Sequence, residues 1–109
     1  MSAWILLAFS IVLEICGTTL LKLSDGFDKP LIGFAAIAAY TGSLWLFAPA
    51  LKVIPIGIAY AIWAGAGIMT VSVIGFFFFN QSLGALQYLF IALILIGAVG
   101  LRLTTTIDV

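Results

Sequence analysis

One carboxyl group stands inside the first long apolar run of this chain. Glu14 lies within "FSIVLEICGTTLLK", and no other charged residue occurs between Met1 and Leu21. At the centre of a membrane helix such a carboxyl group costs about 2.5–3.5 kcal/mol on insertion scales, and it usually faces a bundle interior or a wet cavity. The position of Glu14 therefore predicts a binding site within a membrane.

The residues around Glu14 predict a polar helix face. Positions three, four and seven residues away share one face of a helix. On this face lie Leu7, Ser10, Ile11, Gly17, Thr18 and Leu21. Ser10, Gly17 and Thr18 are small or carry hydroxyl groups, so the face can line a polar cavity.

The partner of Glu14 must come from outside the apolar runs, because none of them carries a basic residue. That partner is a proton or a cationic substrate. Burial, and repulsion between two copies in a dimer, disfavour the charged carboxylate, so the group can both bind and release protons. One alternative stays open, in which a permanently protonated Glu14 only donates a hydrogen bond between helices.

Aromatic residues on two further runs could complete a cation site. Tyr60, Trp63 and Gly67 fall on one helix face, and Tyr40 and Ser43 share a face of the second run. Aromatic faces attract organic cations by about 0.5–2 kcal/mol. Tryptophan and tyrosine also gather at membrane interfaces, but a carboxylate beside aromatic walls predicts a site for a hydrophobic cation.

Small residues in the third run predict both close packing and a bend. Gly57, Ala61 and Gly65 recur at a spacing of four, which allows close approach of a neighbouring helix. Gly65 and Gly67 lie in "WAGAG". Such a glycine pair is a plausible point for a helix bend, and we expect it to act as a hinge.

The elements that must position these residues follow from composition. The chain has 109 residues, of which 65% are hydrophobic and 7% charged, and it has no histidine. A soluble domain would lack polar residues to cover its surface. Four charge-free runs, 3–21, 31–51, 56–79 and 83–101, each approach or exceed the roughly 17–25 residues of a membrane-spanning helix. We therefore expect an all-α integral membrane protein with a single four-helix domain over 1–109.

These four runs take up nearly the whole length. They leave no room for a soluble catalytic, ATP-hydrolysing or nucleic-acid-binding domain, so we expect neither an enzyme nor a nucleic-acid partner. Cys16 is the only cysteine, which excludes a disulfide framework or a structural zinc site within one chain. We expect no metal and no cofactor.

Basic residues are balanced across the predicted membrane. Lys22 and Lys29 lie on one side of the four-helix arrangement, and Lys52 and Arg102 lie on the other. Orientation normally follows an excess of lysine and arginine on the cytoplasmic side. The tie predicts insertion in both orientations and pairing of two copies as an antiparallel dimer, unless the N-terminal end or the insertion machinery fixes one orientation.

Three segments, "LEICGTTLLKLSDGF", "YTGSLWLFAPALKVIPIGIAYAIWAGAGI" and "NQSL", resemble the small multidrug resistance transporters, and among them the exporters of quaternary ammonium compounds. The resemblance covers nearly the whole chain, and "PIGIAYAIWAG" is its most specific part. It implies an antiparallel, dual-topology homodimer in the bacterial inner membrane. It also implies that this dimer exchanges protons for hydrophobic cations by alternating access.

The resemblance also implies roles for individual residues. Glu14 matches the essential carboxylate that binds both proton and substrate. The positions that match the substrate site are Trp63, Tyr60, Tyr40, Ser43, Leu7, Ser10, Gly17 and Thr18. Gly65 and Gly67 match the kink of the third helix. Gly97 matches a glycine of the pairing motif in the fourth helix.

Three residues depart from the family pattern. Trp4 stands where members often have tyrosine, Ser10 where they often have alanine, and Phe90 where the pairing motif often begins with glycine. The guanidinium-exporting branch tends to carry a tryptophan soon after the glutamate, whereas this chain reads "EICGTTLLK". The multidrug branch is therefore favoured. A guanidinium or polyamine exporter, a proton-translocating ring subunit and a non-transporting assembly subunit stay open as alternatives.

Overall fold

The computed structural model describes residues 2–105, and over this range it contains four α-helices and no strands. The helices are α1 (Ala3–Leu23), α2 (Pro30–Ala50), α3 (Ile56–Phe78) and α4 (Ala85–Thr104). Each is long and apolar enough to cross a membrane. For the described residues, the prediction of an all-α membrane protein with four spans is confirmed.

The ends of the helices differ from the ends of the charge-free runs. α1 continues past Leu21 and includes Lys22, and α4 continues to Thr104 and includes Arg102. Long basic side chains at a helix end can reach the membrane interface while their backbone stays helical. Absence of charge therefore places the C-terminal ends of α1 and α4 too early. At other ends the runs are longer than the helices, because α3 ends at Phe78 and α4 begins at Ala85. α2 begins one residue early, since Pro30 takes its first helical position, where a missing N–H costs little.

The connection between α1 and α2 is a tight turn. The buried Ser24 hydroxyl donates to a backbone carbonyl of α1 at 2.7 Å and accepts from the Phe27 N–H at 3.1 Å. Asp25, Gly26 and Phe27 all have positive φ angles, of 54°, 68° and 68°. The Phe27 ring then lies against Gly33 of α2, where an added Cβ would be 2.5 Å from Phe27 Cδ1. This contact packs the connection against the first turn of α2.

The four helices pack in a flat arrangement of 44 × 34 × 17 Å. α1 packs against both α2 and α3, and α4 packs against α3. α1 and α3 therefore lie in the middle of the slab. Side chains between these two helices are flanked by α2 on one side of the slab and by α4 on the other.

Apolar side chains are buried at one end of the bundle and exposed around its outside. The buried cluster consists of Ala3, Leu7, Ala50, Ile54 and Ala59. On the outer surface, Leu31, Trp45 and Leu103 are between 76 and 84% exposed. Lipid tails are as apolar as leucine, so a bilayer covers such side chains without the cost that water would impose.

Candidate functional site

A cavity of about 290 Å³ lies between α1 and α3. Its lining residues are Glu14, Thr18, Tyr60, Trp63, Ala64, Gly67, Ile68 and Val71. Those of α1 are one helical turn apart, and those of α3 recur at spacings of three and four. Because this is the helical period, the cavity is formed by two facing stripes.

Glu14 is half-buried, and its two carboxyl oxygens have different surroundings. Oε1 accepts a hydrogen bond from Thr18 Oγ1 at 2.9 Å. Oε2 faces Gly67, where an added Cβ would lie 3.0 Å away. Among the described residues, Thr18 is the one side-chain donor to Glu14, and no lysine or arginine lines the cavity. The carboxyl group thus keeps free acceptor capacity.

Tyr40 of α2 reaches the same carboxyl group through Thr18. Its hydroxyl forms a short hydrogen bond with Thr18 Oγ1. The Thr18 hydroxyl has one proton and gives it to Glu14, so Tyr40 is the donor to Thr18 when Glu14 is ionised. The result is a hydrogen-bonded chain from α2 through Thr18 to Glu14.

Trp63 of α3 is held by contacts from α1, from α2 and from its own helix. Its Nε1 donates to Ser10 Oγ of α1 at 3.0 Å, and Ser43 Oγ of α2 lies 3.5 Å from Ser10 Oγ. The ring centroid of Trp63 is 5.2 Å from that of Phe47 and 5.8 Å from that of Tyr60. Both serines are fully buried. Trp63 therefore presents a fixed aromatic wall to the cavity.

The structure separates the predicted site residues into three groups. Glu14, Thr18, Tyr60 and Trp63 lie together around the cavity. Ser10, Ser43 and Tyr40 do not line it, but they are hydrogen-bonded to residues that do or to each other. Leu7 and Gly17 do not line the cavity and instead pack against other residues.

The packing of Leu7 and Gly17 has a physical cause. Leu7 is 2% exposed and belongs to the apolar cluster at the end of the bundle. Seven residues of helix span about 10 Å, which is enough to move from the cavity wall to that cluster. An added Cβ on Gly17 would lie 3.2 Å from the Tyr40 ring and 3.3 Å from the Ala36 carbonyl oxygen. Gly17 thus allows α1 and α2 to approach closely.

The glycines predicted to act as hinge and dimer contact have distinct surroundings. α3 is one uninterrupted helix through Gly65 and Gly67. An added Cβ on Gly65 would lie 3.0 Å from Ala98 Cβ of α4, so this glycine permits the packing of α3 on α4. Gly97 is exposed and has no described atom within 4 Å of its Cβ position. The hinge and the dimer contact stay predictions.

Four residues at the site were not among the predicted site residues. Ala64, Ile68 and Val71 line the cavity, and Phe47 packs against Trp63. Continuing the spacing of three and four from Tyr60 along the third run would have identified the first three. The shared face of Phe47 with Ser43 was the signal for the fourth.

Comparison with known proteins places the chain in one family. A family model described as Small Multidrug Resistance protein matches residues 2–94. The multidrug transporter EmrE of Escherichia coli is 45% identical over 83 residues, which are 76% of each chain. The quaternary ammonium compound-resistance protein QacF of Klebsiella aerogenes is 38% identical over 99% of this chain and 98% of its own. The spermidine export protein MdtI of an Enterobacter species is 39% identical over 94% and 92%.

These matches cover most of the chain and agree with its four apolar helices. Proteins of this kind are transporters and not enzymes, and their place is the bacterial inner membrane, which they cross several times. The chain belongs to the small multidrug resistance family.

Proposed function

We propose that this protein exports hydrophobic organic cations in exchange for protons, and that both bind at Glu14. One observation carries the proposal. The Glu14 carboxyl group opens into a cavity that Tyr60 and Trp63 share and that no basic side chain lines. The names of EmrE and QacF, a multidrug transporter and a quaternary ammonium resistance protein, support a cargo of this kind.

Competition at Glu14 supplies the coupling in this proposal. A protonated carboxyl group offers no net charge to a cation, and a bound cation disfavours protonation. The site therefore holds a proton or a cation, but not both. When only loaded forms change between the two sides of the membrane, proton entry drives cation exit.

The available driving force is sufficient for export. Each proton moving down its gradient supplies about 1.4 kcal/mol per pH unit. Each net charge that crosses supplies a further 2.3 kcal/mol or so per 100 mV of membrane potential. Exchange of two protons for one monovalent cation would use both gradients.

A second copy of the chain would complete the site. Ligand cavities are commonly about 300–1,000 Å³, and the cavity of one subunit, at about 290 Å³, is below this range. Tyr60 is 57% exposed in the single subunit, although it lines the cavity. An antiparallel partner would cover Tyr60 and bring a second Glu14 to the cavity. The equal numbers of basic residues on the two sides of the membrane support insertion in both orientations.

The alternative cargoes fit this cavity less well. A polyamine carries several separated positive charges, but Glu14 is the one carboxyl group that each subunit brings to the described lining, and most of the other lining residues are aromatic or aliphatic. Guanidinium is small and planar and needs a polar site, whereas most of the described lining is aromatic or aliphatic. Membership in an exporter family argues against a ring subunit or a non-transporting assembly subunit.

Transport in vesicles tests the proposal. Purified protein is reconstituted into vesicles with an acidic interior, and uptake of labelled tetraphenylphosphonium is followed. We expect uptake that collapses with the pH gradient and is lost in Glu14→Gln. The matched control is Asp28→Asn, which removes a carboxyl group from the exposed first connection and should transport normally. Retained proton-coupled uptake in Glu14→Gln would refute the proposal.

A further inference from the structure

We infer that Ser10 is a positioning residue that sets the preference of the site for large aromatic cations, by accepting the hydrogen bond of the Trp63 indole. This inference rests on the proposed function. Ser10 was predicted from the sequence to line the substrate site. The structure places it behind Trp63 instead, with no exposed surface and no share in the cavity wall.

The hydrogen-bonding capacity of Ser10 matches this role. A serine hydroxyl has one proton and two acceptor positions. Ser10 Oγ accepts from Trp63 Nε1 at 3.0 Å, and its own proton is free to face Ser43 Oγ at 3.5 Å. All three groups are thereby satisfied in the interior of the bundle. Ser10 joins α3 to α2 through a residue of α1.

The position of Trp63 matters because the ring is one wall of the cavity. Phe47 packs against it with planes 30° apart, and Tyr60 meets it nearly edge-on at 81°. These apolar contacts leave the indole N–H as the polar group that needs a specific partner. With that N–H bonded to Ser10, the ring is ordered before the cation binds. The binding free energy is then not reduced by the entropy cost of ordering this side chain.

Loss of the Ser10 hydroxyl would also affect Glu14. An indole N–H left without an acceptor in the interior is unfavourable, so the ring would turn toward another acceptor. The Glu14 carboxyl group lines the same cavity as Trp63 and is the charged acceptor there. An indole that turns toward Glu14 takes its ring face away from the cavity wall, while the carboxylate, with about four acceptor positions, keeps capacity for a small cation. Ser10 thus keeps the Trp63 donor away from the group that binds the cargo.

The effect should depend on the size of the cation. A large aromatic cation uses the face of Trp63 as well as the charge of Glu14. Guanidinium is small and donates hydrogen bonds to the carboxylate, so it depends less on the wall. Ser10 therefore favours the first class over the second.

The test compares two cations and one spectroscopic signal in the full-length reconstituted protein. Affinities for tetraphenylphosphonium and guanidinium are measured by calorimetry at one pH. The indole N–H signals of Trp4, Trp45 and Trp63 are followed by nitrogen-15 NMR. Ser10→Ala should raise the tetraphenylphosphonium Kd about three- to tenfold while changing that of guanidinium about twofold or less, the size expected from losing the order of one side chain.

Two further variants complete the design. Thr19→Ala is the matched control, because the Thr19 hydroxyl also lies on α1 but donates to its own backbone at Ile15, 2.9 Å away. It should change neither affinity nor the Trp63 signal. Ser10→Cys keeps the size of the side chain with a weak acceptor, and it should shift both readouts in the same direction as Ser10→Ala.

The outcomes separate this inference from the proposed function. Support requires that the Trp63 signal moves and that the ratio of the two Kd values changes. An unmoved Trp63 signal, an unchanged ratio or an equal loss for both cations overturns the role of Ser10 and leaves the proposed function standing. If the unsubstituted protein binds neither cation, the proposed function fails, and the specificity role fails with it.

Discussion

A methyl group added to Gly67 would lie 3.0 Å from Oε2 of Glu14. The backbone of α3 therefore forms one wall of the carboxyl site, and α1 and α3 approach this closely because residue 67 has no side chain. The same glycine was predicted to act as a hinge. In the structure the absence of a side chain at this position leaves room for the carboxyl group.

Substitution of Gly67 by alanine should weaken cation binding. The added Cβ must shift the Glu14 carboxyl group, which is the flexible end of its side chain, and it takes up space beside the charged partner of the cation. We expect the Kd to rise roughly fivefold, about 1 kcal/mol in binding free energy. The measurement is the Kd for tetraphenylphosphonium at fixed pH. Gly57→Ala is the matched control on the same helix, because nothing described lies within 4 Å of that Cβ position. Equal affinities in the two variants would contradict the prediction.

Removal of the Thr18 hydroxyl should destabilise the protein. Thr18→Val keeps the shape of the side chain but leaves Glu14 and the Tyr40 hydroxyl each short of a partner. We expect a loss of about 1–3 kcal/mol in the free energy of unfolding, measured by detergent-induced unfolding in mixed micelles. In Thr18→Val with Tyr40→Phe the losses should be less than additive, since the two residues share one hydrogen bond. Strict additivity would argue against that bond.

A large side chain at Gly97 should disturb pairing without disturbing the subunit. No described atom lies within 4 Å of its Cβ position, so Gly97→Leu has room within one chain. If this surface packs against a second copy, the overpacking cost of about 1–3 kcal/mol raises the dimer Kd roughly fivefold or more. Energy transfer between labelled copies in vesicles measures pairing. Ala92→Leu, exposed on another face of α4, is the control and should pair normally.

The balance of basic residues should control orientation. Lys52→Gln with Arg102→Gln leaves Lys22 and Lys29 as the only basic residues, so their side of the protein should become cytoplasmic. Lys22→Gln with Lys29→Gln is the mirror variant and should give the opposite orientation. Reporters fused to the C-terminus that are active on one side only measure the distribution. A single orientation in the unsubstituted chain, unmoved by either pair, would show that other features decide topology.

Much of the candidate site was accessible from residue types and helical spacing. The isolation of Glu14 in an apolar run predicted that its carboxyl group faces a cavity, and the period of three and four placed Tyr60, Trp63 and Gly67 on one face. Both inferences need only local information. Leu7 shows the limit of the same reasoning, because it shares a face with Glu14 but lies where that face meets the apolar cluster. Helical spacing indicates on which face of a helix a residue lies. It does not indicate which other residues pack against that face at each level along the axis.

Length, hydropathy and charge by themselves determined that this chain has four membrane-spanning helices, with one carboxyl group among them that needs a partner. These properties are local, because each span is selected by its own transfer from water to lipid. Only the tertiary structure decided that α1 and α3 enclose the cavity, and that Ser10 accepts the hydrogen bond of a tryptophan 53 positions away. Helices in a bilayer associate through close packing and interhelical hydrogen bonds rather than through hydrophobicity. Such contacts depend on shapes that meet across the fold, and no single run of sequence contains them.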